Sequence, residues 1–512
     1  MRNAAGREIP DHIHGIGRIK LFAGAYANIG ETLKAGVRIK SAVPGESKVL
    51  SSIREAIKKC GLQSGMTVSF HHHLRNGDYV LNMVMDEIAN MGFKDIKVAA
   101  SSIFPVHAPL VEHIKNGVVT GIYTNYMSGP VADAVSMGLL KYPAIMHTHG
   151  GRARAIEAGE LHIDVAFIAS PTCDTYGNIN GVYGKSACGS LGYAIPDAMF
   201  ASKVVAITDN LVDYPACPIE ISQEYVDYIV QVDSIGDPKG IVSGTTRITK
   251  DPVGLKIAKM ASKVIEASGL LKDGFSFQTG AGGTSLAVAY YLKEIMKKKN
   301  IKGSFAAGGI TGYIVEMFEE GLFKALFDVQ CFDLKAVESY RDNKAHQGMS
   351  ASMYGNPHNK GAVVNNLDVM ILGATEIDTN FNVNVTTGSN GFIMGGSGGH
   401  SDTAAGAKLA IVVTQLVKGR LPIVVDSVTT ATTPGETIDV LVTERGIAVN
   451  PKRQDIIEKL KATNLPLVTI EELKNIAEEM TGVPEKIEFD DKVVAVVEYR
   501  DGTVIDVVRK VK

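Results

Sequence analysis

Asp164–Gly181 reads DVAFIASPTCDTYGNING, and Asp368–Val385 reads DVMILGATEIDTNFNVNV. Laid together without a gap, Asp164, Val165, Asp174, Thr175, Asn178 and Asn180 meet Asp368, Val369, Asp378, Thr379, Asn382 and Asn384. Each stretch is an apolar run, an acidic residue and an Asn-x-Asn turn, the pattern of one supersecondary unit present twice. Two further matches keep the same order. SGMTVSF from Ser64 parallels DGFSF from Asp273, and ASKVVAITDNLV from Ala201 parallels AAGAKLAIVVTQLV from Ala404. An offset of about two hundred residues makes this a twofold duplication rather than a short-period solenoid. Proteins built this way often place the active site between the copies, because domain interfaces supply concave pockets.

Outward from these stretches, strand-like runs alternate with helical periodicity. Val49, Ile53 and Ile57 share one helical face that stops at Gly61. Strands are predicted at 67–70, 96–99, 118–124, 144–148 and 165–169, with a helix over 79–91. The second copy repeats the plan: a helix over 255–267, a strand at 276–278, a helix over 285–298, and strands at 304–307 and 369–372. Alternating elements predict an α/β protein of two tandem duplicated domains with largely parallel sheets. The expected division is an N-terminal arm at 1–50, a first domain at 51–250 and a second at 251–512, with the boundary in the turn-rich IGDPKGIVSG region. Residues 492–499 and 504–511 flank Asp501-Gly502 and predict a β-hairpin with a type I′ turn that covers a sheet edge.

The chain has 512 residues, 45% hydrophobic and 21% charged, which suits a globular enzyme with a large core. A net charge of −3 gives no electrostatic case for nucleic acid or an anionic membrane. Lys297–Lys299 reads as a solvated helix end that complements the helix dipole. The five cysteines lack CxxC spacing, so neither a disulfide framework nor a zinc site is expected, and a reducing cytoplasm fits. The N-terminus has no apolar signal core, and no run of about 18 apolar residues predicts a membrane span.

Four loops carry the candidate chemistry: His71–Asp78, His147–Arg152, Gly280–Ser285 and Gly395–Asp402. Ligands in open α/β sheets bind beyond the carboxyl ends of strands. A Gly-rich loop leading into a helix lets backbone N–H groups approach an anion or an oxyanion. Gly280–Gly283 matches neither the dinucleotide fingerprint nor a nucleoside-triphosphate loop. Adjacent histidines at a strand end alternate sides, so His71, His72 and His73 are not expected to ligate one ion. His147 and His149 would share a side if extended, but hydrogen bonding to an anionic ligand is favoured over metal. Arg75, Arg152 and Arg154 lie in or beside these loops and could make bidentate contacts to a polycarboxylate or stand in solvent.

These segments, in this order, resemble the citrate lyase alpha-chain family, the citrate:acyl-carrier-protein transferase. The most telling stretches are SGMTVSFHHHLRNGDYVLNMVMDEIANMGFK, SSIFPVHAPLVEHI, HTHGGR, GFSFQTGAGGTSLAV, LGATEIDTNFNVNVTTGSNG, GGSGGHSDTA and TPGETIDVLVTERGIAVNP. The resemblance covers nearly the whole chain beyond the first fifty residues or so and extends to the wider CoA-transferase superfamily, whose two α/β domains are of the ribose-phosphate-isomerase-like type. It implies that acetyl, held as a thioester on an acyl carrier protein (the gamma chain), is replaced by citryl with release of acetate. A citryl lyase partner (the beta chain) then cleaves the citryl thioester. The resemblance also implies an oligomeric complex and no tightly bound cofactor, the CoA-like prosthetic group belonging to the carrier. Free acetyl-CoA is its expected surrogate.

Many members of the superfamily use a glutamate that becomes a covalent thioester. Here the matching region reads Gly308-Gly309-Ile310-Thr311-Gly312; an ungapped reading puts Gly312 near where that glutamate would stand, and a gapped one brings Glu316 there. Direct attack by citrate is therefore expected. Gly280, Gly282, Gly283, Gly398 and Gly399 are assigned to cradling the thioester and its oxyanions. His71, Arg75, His149 and Arg152 are assigned to citrate, with Glu316 and Glu376 as residual nucleophiles. The rival readings are a citramalate-specific homologue, a covalent-glutamate CoA-transferase or acyl-CoA hydrolase, and a sugar-phosphate sensor.

Overall fold

In the computed structural model, which describes residues 1–27, 34–37, 40–242, 247–280 and 282–512, each copy builds one large sheet. The first contains β1 (Val49–Leu50), β2 (Thr67–Phe70), β3 (Ile96–Ala100), β4 (Val119–Thr124), β5 (Ala144–Met146), β6 (Val165–Ser170), β7 (Lys203–Thr208) and β8 (Tyr228–Gln231). These lie in the order β5-β4-β3-β2-β6-β7-β8-β1 and are parallel throughout. The second contains β9 (Ser276–Thr279), β10 (Gly303–Ile310), β11 (Phe323–Cys331), β12 (His346–Gly348), β13 (Val369–Leu372), β14 (Leu409–Val413), β15 (Val440–Thr443) and β16 (Gly446–Val449). Its order is β12-β11-β10-β9-β13-β14-β15-β16, antiparallel only at the last pair. Seven strands thus repeat in the same spatial order, so the duplication inferred from Asp164 and Asp368 is a duplication of topology.

The matched aspartates explain why those stretches persist. Asp164 Oδ2 accepts the Thr67 N–H at 2.8 Å, tying β6 to β2, and Asp368 Oδ2 accepts the Ser276 N–H at 2.9 Å, tying β13 to β9. Asp174 Oδ1 accepts the N–H groups of Tyr176, Gly177 and Asn178, while Oδ2 accepts Asn178 Nδ2 at 2.8 Å. Asp378 does the same with the N–H groups of Asn380 and Asn382 and with Asn382 Nδ2 at 3.1 Å. One carboxylate in each copy satisfies a whole turn whose backbone donors would otherwise be orphaned in the interior.

Local signals set the helix ends. Ser52 caps Ile53–Cys60 by accepting the Glu55 N–H, and Gly61 closes it at φ 67°. Asp251 caps Pro252–Ser268, with proline in the first turn and Gly269 after it. The strands read as unbroken apolar runs because both sheet faces are covered, and all six residues of β6 are buried. One cluster of buried side chains runs through both copies, from Val68 and Phe167 to Phe277 and Ile371. No helix among the described residues is long and apolar enough to cross a membrane.

Two expectations change at the ends of the chain. The terminal hairpin, β17 (Phe489–Glu498) with β18 (Val504–Val511), was grouped by sequence with the second unit, yet it pairs through β17 in parallel with β5 of the first sheet. It covers an edge as expected, but an edge contributed by the other copy. Its turn is also not type I′: Gly502 N–H donates to Tyr499 O at 2.9 Å, and only Gly502 in that turn has positive φ. That is a three-residue turn ending in left-handed glycine. The N-terminal arm falls partly outside the described residues, as does part of the expected domain boundary. Where described, the arm packs on the terminal hairpin: Asn3 Nδ2 donates to Val504 O and Ile505 O, and Phe22 meets Tyr499 edge-on at 5.0 Å.

Replacing Asp174 with alanine strands several buried donors and should lower unfolding stability by about 2–4 kcal/mol. Urea denaturation followed by circular dichroism would measure it. The same change at Asp378 should cost a similar amount if the two turns are equivalent.

Candidate active site

The loop after β2 shows how strand alternation sorts three consecutive histidines. His71 and His73 turn to one side and stack with ring centroids 6.0 Å apart. His73 Nε2 meets Ala169 O at 2.8 Å, and both ring nitrogens of His71 are buried without a hydrogen-bond partner. Burial drives the His71 pKa down to about 3, so it is a neutral core side chain. His72 faces the other way, into the seam between the copies. Its ring lies 4.4 Å from Tyr193 and 5.6 Å from His149, and His149 lies 4.5 Å from Tyr193. Ser101 Oγ accepts the His72 N–H at 3.1 Å and stands 2.6 Å from Nδ1. That hydroxyl can donate to Nδ1, a pairing that places the ring proton on Nε2. The histidine assigned to substrate by sequence, His71, is thus replaced at the seam by His72.

His149 opens the helix His149–Glu157, for which Thr148 is the N-cap. Asn125 Nδ2 stands 2.7 Å from His149 Nδ1. With Asn125 donating, His149 also carries its proton on Nε2. Burial, with Arg152 adding to it, lowers the His149 pKa to about 3, and burial first of all holds His72 well below the ordinary value. Both imidazoles are neutral donors, not cations. His147 does not accompany His149: the helix begins between them, and His147 Nδ1 turns to Glu498 at 3.0 Å. Among the described residues, no three His, Cys, Asp or Glu side chains come together as a metal site.

The arginines separate sharply. Arg152 is buried in a two-point pair with Asp197, both contacts at 2.7 Å, and also donates to Ala99 O. Its charge is used inside the first copy, which corrects its assignment to substrate. Arg154 pairs with Glu160 at 2.8 Å. Arg75 is different. Its guanidinium carbon lies 5.6 Å from the Phe104 ring and 4.7 Å from the Phe332 ring, so it reaches across to the second copy. Its Nη1 is buried and unpartnered, and its backbone sits at φ 53°. Burial lowers its pKa, the expected sign for a desolvated cation lacking a carboxylate. Strain and an unpaired charge in one residue are what a ligand-binding position tolerates.

The second copy closes the other side. Phe332 also borders a narrow slot with Gln278, Thr279, Gly280 and Thr311, where Gln278 Oε1 and Thr311 Oγ1 are buried and unpartnered. Gly282 and Gly283 start the 17-residue helix Gly283–Lys299 with no side-chain cap, so its first N–H groups are uncommitted by any cap. Ala281 lies outside the described residues. The Gly280 N–H is spent on Ile371 O at 2.9 Å and the Gly398 N–H on Asn125 O at 3.1 Å, which corrects their assignment as oxyanion donors. Gly398 and Gly399 serve by being small. A Cβ on Gly398 would stand 3.3 Å from His149 Nε2, and one on Gly399 would collide with the Tyr354 hydroxyl. Tyr354 joins the two sides: Gln278 Nε2 donates to its hydroxyl at 2.8 Å, and its ring is 6.5 Å from that of His149. Gln330 Nε2 donates to His72 O at 2.7 Å.

Neither glutamate candidate enters this seam as a free carboxylate. Glu316 is half-exposed and 3.3 Å from Lys335. Glu376 is buried and accepts from Thr429 N–H, Thr429 Oγ1 and Asn384 Nδ2, all within 3.0 Å. Beside Gly312 stands Asp333, which already accepts the Gly312 and Ala336 N–H groups. Ser101, Asn125, Tyr193, Gln330 and Tyr354 were not foreseen. Ser101 opens the SSIFPVHAPLVEHI stretch, but none of the five was given a role there, and only the docking of one copy on the other brings them together.

Two largely parallel sheets with the same strand order in each copy make a CoA-transferase-like fold. The alpha subunit of malonate decarboxylase from Acinetobacter baumannii shares the fold, with TM-score 0.64, 17% identity, and 86% and 85% of the two chains covered. Residues 46–511 match the family model "Citrate lyase, alpha subunit (CitF)". The citrate lyase alpha chain of Haemophilus influenzae is 56% identical over 467 residues, covering 91% of this chain and 93% of that one. A crystal structure described as an alpha subunit of citrate lyase from Streptococcus mutans, in complex with citrate, superposes with TM-score 0.97, 52% identity and full coverage of both chains. The chain belongs to the citrate lyase alpha-subunit family, the transferase component of citrate lyase.

The two buried arginines should respond oppositely. Arg152→Lys breaks a two-point buried pair and should cost about 3 kcal/mol of stability. Arg75→Gln removes an uncompensated charge and should leave the melting temperature unchanged or raised. Differential scanning calorimetry of both variants would check the contrast.

Proposed function

We propose that this chain exchanges acyl groups on a thioester at the seam between its copies: acetyl thioester and citrate become citryl thioester and acetate. The observation that carries this reading is Arg75, an unpaired guanidinium held between Phe104 and Phe332 beside a slot lined with unpartnered polar atoms. Because His72 and His149 are neutral, Arg75 supplies the positive charge a polycarboxylate requires. The thioester itself is carried by the CoA-like prosthetic group of an acyl carrier protein. The uncapped start of Gly283–Lys299 suits a developing oxyanion.

A citrate carboxylate oxygen attacks the acetyl carbonyl, the C–S bond breaks, and a thiolate and a mixed anhydride result. The thiolate sulfur then attacks the citryl carbonyl, the C–O bond breaks, and acetate leaves. Both steps pass through tetrahedral oxyanions, and the donors assigned to them are the Nε2–H of His149 and the Gly282–Gly283 amides. No glutamyl intermediate is needed, in keeping with Gly312 and with the engaged carboxylates of Glu376 and Asp333. A beta-chain citryl lyase and a gamma-chain carrier complete the reaction in a cytoplasmic complex.

Incubating the chain with acetyl-CoA and citrate should yield citryl-CoA and acetate, detected by mass spectrometry; citramalate in place of citrate tests the nearest rival substrate. No product from either acid would overturn the proposal. Arg75→Gln should raise the citrate KM about 10- to 100-fold, the worth of a charged hydrogen bond. Glu316→Gln and Glu376→Gln should remain substantially active, and hydroxylamine should trap no protein thioester.

A further inference from the structure

The Gly395–Asp402 loop contributes more than small residues. Thr148 caps the His149 helix in the usual way, its Oγ1 accepting the Gly151 N–H at 2.8 Å. Its hydroxyl hydrogen is then donated to Asp402 Oδ1 at 2.8 Å, and Asp402 Oδ2 accepts the Gly150 N–H at 2.9 Å. A carboxylate from the second copy thus closes the N-terminus of a helix in the first, where the helix dipole favours negative charge. His149 sits between two residues that Asp402 holds, and its own N–H donates to Gly398 O at 2.8 Å. Arg500, in the turn of the terminal hairpin, backs the arrangement with Nε 3.5 Å from Asp402 Oδ1 and Nη2 donating to Gly355 O at 2.8 Å.

We propose that Asp402 is a positioning residue of the transferase site, setting the place of His149 from the opposite copy, and that Arg500 makes the terminal hairpin part of the site's construction. This rests on the reading of His149 as a donor in the reaction. Asp402 engages both residues that flank His149, so its place and the place of that ring are coupled. The groups facing Asp402 are Arg500 from the hairpin turn, Tyr499 beside it, Tyr354 from the second copy, and Tyr193 and the helix start from the first. Burial raises Asp402 to about 6, opposed by Arg500 and by the bonds from Gly150 and Thr148. A raised folded-state pKa means that this group's contribution to stability is greatest at low pH and is lost as pH rises through about 6. Positioning runs the other way, because only the carboxylate accepts from Thr148 and Gly150 together while pairing with Arg500.

The test uses the full chain with acetyl-CoA and citrate across pH 5–8, together with NMR of 15N-histidine-labelled protein. Wild-type kcat should fall as pH drops through about 6, and the His149 ring resonance should move over the same range. In Asp402→Asn both inflections should vanish, with kcat down about 10- to 100-fold and the citrate KM within about threefold, as expected for misplacement rather than lost binding. Thr148→Val, which removes one donor and keeps the carboxylate, should show a smaller kcat loss and guards against a misfolded Asp402 variant. Wild-type kcat and an unmoved His149 resonance in Asp402→Asn would overturn the proposal. If the wild type catalyses no exchange, the proposed function fails, and the NMR titration still decides whether Asp402 places His149.

Discussion

The site depends on how the two copies meet. At the seam, backbone touches backbone: a Cβ on Gly150 would collide with Gly355, and one on Gly192 with the Met349 carbonyl. That closeness lets Thr148, Gly150 and Asn125 of the first copy bond directly to Asp402 and Gly398 of the second. Buried amides and a buried carboxylate must find partners, since an unsatisfied one is costly in a low dielectric. Here the partners lie on the opposite copy, so satisfying the backbone and assembling the site are one event.

Electrostatics inside the seam follow from burial more than from residue type. A loop with three histidines looks cationic on paper. Packing removes two of its rings into the core and leaves the third neutral beside Tyr193 and a neutral His149. Arg152, which looks like the better anion ligand, is neutralised by Asp197. Among the described arginines of these loops, Arg75 alone has no carboxylate partner, and it is pinned by two phenylalanine rings from different copies. Arg75 is thus the unpaired charge beside neutral, preorganised donors, an arrangement that stabilises developing negative charge without reorganisation.

The two copies share construction and differ in use. Asp164 and Asp368, like Asp174 and Asp378, make the same bonds at the same places, because the strand junction and the turn have the same backbone needs in each. Beyond the carboxyl ends of the strands those needs vanish, and the loops have diverged into histidines and arginine on one side and glycines on the other.

By itself the sequence determined the alternation of strands and helices, the duplication, the helix stop at Gly61, and the family. Each of these rests on local periodicity, capping chemistry or residues repeated in order. It also determined that His71–His73 would split between two faces, though not which face would meet the second copy. Only the tertiary structure decided that His72 rather than His71 faces the seam, that Arg152 is spent and Arg75 is not, and that the last strands join the first sheet. Those outcomes depend on distant partners such as Asp197, Phe332, Tyr193 and Ala144–Met146, and no local pattern encodes which of two equivalent donors will find a carboxylate when the halves close.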